Sequence, residues 1–488
     1  MNRRGFLRFT AAGAVALVLP SRTGFGQGSA ARKPNFVFIL VDDMGWRDAG
    51  CFGSTFYETP HIDRLAREGM RFTDAYAACP VCSPTRASIM TGEYPARLHL
   101  TDWIPGRQAN AQARASMKLD PPEFEQQLAL DEVTLAETLK EAGYATFFAG
   151  KWHLGSEGFY PEDQGFDVNK GGWERGGPYG GGRYFSPYGN PKLSDGPEGE
   201  HLPDRLATET CRFIESQRDR PFLAYLSFYS VHTPLMARED LKTKYEAKAD
   251  GLQHNGPAWG DEGTRKVRLV QDHAVYAGMI EAMDQAVGKV LDALDRLNLT
   301  QNTVVLFMSD NGGLSTAEGS PTSNVPLRGG KGWLYEGGIR EPMIVRWPGV
   351  VKVRAVCHEP VISTDFYPTM LQIAGLPLKP RQHTDGVSLM GLLQGAGGLG
   401  RQAIYWHYPH YSNQGGAPGG AVRAGDFKLI EFYEDGRIEL YNLRDDIGER
   451  HNLVAEMPEK AAELHQMLRA WRYEVGAAMP KPNPRYEG

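Results

Sequence analysis

The sequence predicts an α/β chain, with a large, mixed, mostly parallel sheet sandwiched by helices and a small C-terminal antiparallel-sheet subdomain. Three observations lead there: short, predominantly apolar runs without polar alternation, helix-period segments between them, and a change to alternating patterning from about residue 397 onward. A strand apolar throughout is buried on both faces, as parallel sheets covered by helices require. Strands alternating with helices in sequence build that architecture.

The predicted strands are Asn35 to Val41, Tyr144 to Ala149, Phe222 to Phe228 and Thr303 to Met308. Thr59-Pro60 opens a helix that Gly69 closes, an N-cap with proline at the first helical position and a glycine stop. Thr134 and Glu137 stand at capping-box spacing before Gly143. Met283, Val287, Val290, Leu291 and Leu294 share one helical face, so that segment should cover the sheet. From Gly165 to Gly199 the chain is rich in Gly and Pro, holds Trp173, Tyr179, Tyr184, Phe185 and Tyr188, and has no steady period. It reads as a long surface excursion. A second loop, Tyr411 to Gly420, separates strand-like Ile404 to Trp406 from strand-like Val422 to Tyr433, and a helix near Pro458 to Tyr473 ends the chain. The boundaries expected are 1–31 for a signal segment, 32–396 for the catalytic domain and 397–488 for the C-terminal subdomain.

A composition of 41% hydrophobic and 23% charged residues excludes a disordered chain and a membrane-embedded fold. The first residues follow other rules. Arg3, Arg4 and Arg8 precede an apolar run from Ala11 to Leu19, and small residues follow at Ser29-Ala30-Ala31, the layout of a secretion signal. Asn2-Arg3-Arg4-Gly5-Phe6-Leu7 matches a twin-arginine signal, which implies the twin-arginine export machinery as a partner and a periplasmic or secreted product. No transmembrane anchor is expected in the mature form. Without residues 1–31 the formal charge moves from -6 to about -10, because four arginines leave and no acid does. A net acidic surface argues against nucleic acid and leaves room for a local pocket that takes a small anion. Cys51, Cys79, Cys82, Cys211 and Cys357 make an odd count, so one thiol is set apart; no disulfide is assigned.

Ligands of open α/β sheets bind beyond the carboxyl ends of strands. Asp42-Asp43 and Asp310-Asn311 each follow an apolar run directly, so two distant segments bring hard oxygen donors to one edge. Such donors suit calcium, with magnesium as an alternative. Gly150-Lys151-Trp152-His153 follows the second strand, and Val231-His232-Thr233-Pro234 follows the third. Lys331 lies in Gly329-Gly330-Lys331-Gly332, where glycines permit close approach to an anion.

The segment Cys82-Ser83-Pro84-Thr85-Arg86-Ala87-Ser88-Ile89-Met90-Thr91-Gly92 closely resembles the signature of the formylglycine-dependent type I sulfatases. That family belongs to the alkaline phosphatase superfamily, and the resemblance runs from Pro34-Asn35 to the tail segment Val422 to Ile430. It implies an alkaline phosphatase-like sheet and oxidation of Cys82 by a formylglycine-generating maturation enzyme. It implies one calcium ion on Asp42, Asp43, Asp310, Asn311 and the modified Cys82. Arg86 would hold the hydrated aldehyde, and Lys151, Lys331 and His232 would bind sulfate and stabilise the leaving group. One hydroxyl of the diol attacks sulfur, Lys331 or His232 protonates the departing alcohol, and His153 removes the second hydroxyl's proton as sulfate is expelled.

A sulfated sugar is the expected substrate, because Trp173 to Tyr188 and Tyr405 to Tyr411 combine aromatic faces with hydrogen-bonding tips. Trp173, His407 and His410 are the candidate substrate contacts. Two alternatives share much of this pattern: a formylglycine-dependent phosphonate or phosphodiester hydrolase, and a catalytically silent sugar-binding protein.

Overall fold

The computed structural model describes residues 32–253 and 256–487. The signal segment predicted at 1–31, with its twin arginines, lies outside the described residues. The main sheet comprises β1 (Asn35–Val41), β2 (Met70–Tyr76), β3 (Ala145–Gly150), β4 (Val168–Lys170), β5 (Phe222–Ser227), β6 (Thr303–Ser309), β7 (Arg340–Arg346), β8 (Ala355–Cys357) and β9 (Val361–Ile362). Their spatial order is β8-β2-β7-β6-β1-β5-β3-β4, with β9 also beside β2. Only β7 runs against its neighbours among these strands, which makes the sheet mixed but mostly parallel.

The predominantly apolar runs have the predicted cause. In β1, Val37, Ile39 and Val41 enter one core cluster while Phe36, Phe38 and Leu40 enter the other, so both faces are covered. The first face packs on α1 (Pro60–Glu68), α4 (Leu202–Ser216), α5 (Glu239–Asp250) and α6 (Ala274–Arg296), and the second on α2 (Cys82–Thr91), α3 (Leu135–Glu141) and α7 (Phe366–Ile373). The stripe predicted from Met283 to Leu294 lies on α6 and is fully buried. Thr134 and Glu137 form the expected capping box on α3. Thr59 precedes α1, but its hydroxyl accepts from Gly50 N and bonds Asp63 instead of capping the helix.

The small sheet is antiparallel: β10 (Ile404–Tyr408), β11 (Gly419–Ala424), β12 (Phe427–Phe432) and β13 (Ile438–Asn442), covered by α8 (Pro458–Glu474). The run read as one strand from Val422 to Tyr433 is a hairpin folded at Gly425, whose φ of +60° suits a residue without a side chain. A third core cluster joins this sheet to the main one, with Tyr76 and Tyr335 packed among Trp406, Ile430 and Leu440. The excursion from Gly165 to Gly199 is not all surface. Trp173, Tyr184 and Tyr188 are buried in the first core, because aromatic rings in a loop that folds back still lose water by packing.

Candidate active site

The site forms where β1, β6, β3 and β5 end. Ladder bonds continue past the strand ends: Asp310 N donates to Val41 O (3.0 Å), Asp42 N to Ser230 O (2.9 Å) and Lys151 N to Ser227 O (2.8 Å). The backbone beneath the polar residues is thereby fixed. Gly150 has φ +104°, and a Cβ there would overlap the Ser227 carbonyl oxygen, so this junction requires glycine. Asp43 (φ +62°) and His153 (φ +60°) hold left-handed backbone without being glycine, a strain that surrounding structure must maintain.

Helix α2 begins at Cys82 and is buried along its whole length, which places Cys82 and Arg86 one turn apart on the same face. Arg86 is the central tie. Its Nε donates to Asp310 Oδ2 (2.9 Å) and its Nη1 to Lys151 O and Ser227 Oγ (both 2.7 Å). Lys151 Nζ donates to Asp42 Oδ2 (2.7 Å), and Lys331 Nζ bridges both Asp43 oxygens at 2.7 and 2.8 Å. Asn311 Nδ2 donates to Asp43 Oδ1 (2.8 Å). His232 Nε2 stands 3.8 Å from Asp43 Oδ2. Carboxylate oxygens of Asp42, Asp43 and Asp310 lie within 4.8 Å of one another, fully buried.

That acid cluster fits a hard cation. Asp42 Oδ1 and Asn311 Oδ1 are buried acceptors without a hydrogen-bond partner, an arrangement that costs free energy unless something else supplies positive charge. The donors are all oxygens, as calcium or magnesium prefers.

The two histidines are set as opposite tautomers. His153 Nε2 faces the carbonyl oxygen of Ile104 at 2.5 Å; a carbonyl only accepts, so Nε2 carries the proton and Nδ1 presents its lone pair 3.3 Å from Cys82 Sγ. His232 Nδ1 lies 2.8 Å from Thr233 O, so its proton sits there and Nε2 is bare. Burial, reinforced by Lys151, holds His153 well below the usual imidazole range. Burial and then Lys331 pull His232 down to about 3. Both are neutral near pH 7. Burial opposes the charge on Asp43, yet the cations facing it, Lys331 first and then Lys151, outweigh it and hold the carboxyl well below its usual range. Burial likewise disfavours charge on Lys331, but Asp43 raises it well above the usual lysine value. Burial pushes Asp42 well up, against Lys151.

The structure therefore gathers Asp42, Asp43, Cys82, Arg86, Lys151, His153, His232, Asp310, Asn311 and Lys331 in one cluster. Cys82, His153, His232 and Lys331 line the foot of a cleft of about 620 Å³. The three residues predicted to contact substrate are not brought there. Trp173 packs in the core under Arg175. His407 is buried between Tyr433 OH (2.8 Å) and Ala478 O (3.0 Å). His410 is buried against Thr101 Oγ1 (2.8 Å) and the Phe124 ring. Remote polar groups satisfy both rings, so neither needs the cleft. Ser227, which ties Arg86 to Lys151, was missed because a serine ending an apolar run carries no special signal. The rest of the cleft lining includes Trp103, Gln126, Tyr179, Glu318 and Gln414, from loops without period.

An open α/β sheet that gathers paired acids and cations under a cleft, beside a buried thiol, defines a hydrolase built for an anionic ester. Comparison with known proteins narrows this. The family model described as Sulfatase matches residues 34–376, and that of the N-sulphoglucosamine sulphohydrolase C-terminal region matches 330–474. A sulfatase of Formosa agariphila is 33% identical over 91% of this chain and 89% of its own. The N-acetylgalactosamine-6-sulfatase of Canis lupus familiaris is 33% identical over 80% and 72%. Among solved structures, Ps i-CgsB in complex with k-i-k-neocarrahexaose aligns with a TM-score of 0.75 and 27% identity, over 93% of this chain and 95% of that one. The chain belongs to the sulfatase family and is a sulfuric ester hydrolase.

Proposed function

We propose that the chain removes sulfate from a carbohydrate ester, using a formylglycine made from Cys82 and one bound calcium ion. The observation that carries this is the placement of Cys82, at the start of a buried helix and at the foot of the cleft, with the His153 Nδ1 lone pair 3.3 Å away and Lys331 on the same lining. The sugar is supported by the substrate named for the Canis relative and the oligosaccharide bound in Ps i-CgsB.

Hydrated formylglycine would supply the attacking hydroxyl and let sulfate leave by breakage of a carbon–oxygen bond, avoiding a second attack at sulfur. Asp42, Asp43, Asp310 and Asn311 would hold calcium, which polarises sulfate oxygens when bound; magnesium fits the same donors. The remaining work belongs to side chains in hand. Arg86 fixes Asp310 and the Lys151 backbone while lying one turn from residue 82. Lys151 and Lys331 offset the negative charge of the ester. His153 Nδ1 is free to accept the proton of a hydroxyl on residue 82. Of the two candidates for protonating the departing alcohol, Lys331 is the better supplied, because its charge is stabilised by Asp43 whereas His232 Nε2 carries no proton.

By the same proposal the enzyme is matured by a formylglycine-generating enzyme and works in the periplasm or outside the cell, on the strength of the Arg3-Arg4 segment. Comparing 4-nitrophenyl sulfate with bis(4-nitrophenyl) phosphate tests the reaction class. A kcat/KM higher for the sulfate is expected, and preference for the diester would replace this reading with a phosphodiesterase.

A further inference from the structure

At the foot of the cleft the protein's charges are already matched: Lys151 on Asp42, Lys331 on Asp43 and Arg86 on Asp310. A bound divalent cation would add two positive charges, which one sulfate ester and a deprotonated hydroxyl on residue 82 would answer. The rest of the lining has a different character. Trp103 and Tyr179 contribute aromatic surface, with the Tyr179 hydroxyl 3.4 Å from His232 Nδ1, Gln414 contributes an amide, and Glu174 and Glu318 carboxylates. Besides Lys331, Arg175 is the cation of this lining among the described residues. It is engaged in the wall itself, its guanidinium 4.8 Å from the Trp173 ring centroid and its Nη1 donating to Tyr179 O at 3.1 Å.

The two acids keep accepting capacity. Glu174 Oε2 accepts a hydrogen bond from the Tyr160 hydroxyl at 2.7 Å, and Glu318 Oε1 accepts from Gln414 Nε2, which leaves each carboxylate a second oxygen. Carboxylates with spare lone pairs suit sugar hydroxyls, and aromatic faces suit the apolar side of a pyranose ring. They are poor neighbours for a second anion, since like charges across a binding surface exclude the wrong partner. An apolar aryl or steroid group would use the aromatic surface but leave these polar groups desolvated and unpaired.

We propose that the substrate is a singly sulfated and otherwise uncharged sugar, and that Glu174 and Glu318 select it by accepting its hydroxyls and repelling carboxylates or further sulfates. This rests on the carbohydrate reading above and adds the charge state of the sugar around the ester.

Calorimetric titration of the Cys82→Ala protein in calcium separates binding from turnover. The probes are a monosulfated hexose, the same hexose with a second sulfate, the monosulfated hexose linked to a uronate, and an aryl sulfate. The monosulfated hexose should bind at least about tenfold more tightly than either charged analogue, a discrimination of the size one close like charge produces. The Glu174→Gln/Glu318→Gln variant should narrow that gap to about threefold or less, chiefly by admitting the charged analogues. Equal or tighter binding of the charged analogues, lost in Arg175→Ala, would overturn the proposal and make Arg175 an anion subsite. Binding of the aryl sulfate with no binding of any sugar would instead overturn the carbohydrate reading, and this proposal with it.

Discussion

Around Cys82 the protonation of single groups decides what the site can do. Ile104 O fixes the His153 proton on Nε2, and Thr233 O fixes the His232 proton on Nδ1, so the His153 ring aims its lone pair at Cys82 Sγ. The unpartnered oxygens of Asp42 and Asn311 lead to a prediction about metal. Chelation should lower sulfate release, added calcium should restore it, and Asp310→Ala should need far more calcium for less recovery; full activity in metal-free protein would contradict the assignment. Asp102 makes a pH prediction. Burial pushes its carboxyl up to about 7 from a usual 3.8, despite bonds from Trp103 N and Tyr408 OH. Between those values the folded chain holds a proton that the unfolded chain has lost, so this group's contribution to stability falls as pH rises from about 4 to about 7. Asp102→Asn cannot titrate, so its Tm relative to the parent should climb across that window in a thermal melt series; a constant difference would count against it. Much of this residue-level picture was legible: Asp42-Asp43, Asp310-Asn311 and Lys151 were found because each follows a doubly buried strand. Trp173, His407 and His410 were misplaced because an amphipathic ring looks alike in sequence whether it lines a cleft or packs. Tyr179, six residues from Trp173, reached the cleft instead.

Elements carry these residues by different means. Helix α2 sets Cys82 and Arg86 by its own period, whereas the Lys331 loop has no regular structure and is held from outside. Lys428 on β12 donates to Glu336 (2.9 Å) and Glu449 (2.8 Å), all three without solvent exposure, and Glu336 N donates to Glu449 Oε2 at 2.6 Å. The C-terminal sheet thus clamps the segment that follows Lys331. Lys428→Met would leave buried Glu449 without its cation beside Glu336, which keeps Arg340 (3.2 Å), and a loss of about 3–5 kcal/mol is expected, read from the denaturant midpoint. A change below about 1 kcal/mol would show that the clamp is not structural. The strands and the capped helix α3 were readable because period and capping are local. The clamp was not, since Lys428 looks like any charged residue on an alternating strand until a distant loop covers it.

At the scale of the whole molecule, the sheet order brings chain segments from Asp42 to Lys331 to one edge, and the C-terminal sheet closes over them through a shared core. Among the described residues no helix is long and apolar enough to cross a membrane. The proposed mechanism requires one covalent event, conversion of Cys82 to formylglycine. Intact and peptide mass spectrometry of protein purified from its native host measures it directly. The Cys82 peptide should have lost the mass that separates a thiol from an aldehyde, in active protein. An unmodified Cys82 thiol in fully active protein would contradict the formylglycine mechanism.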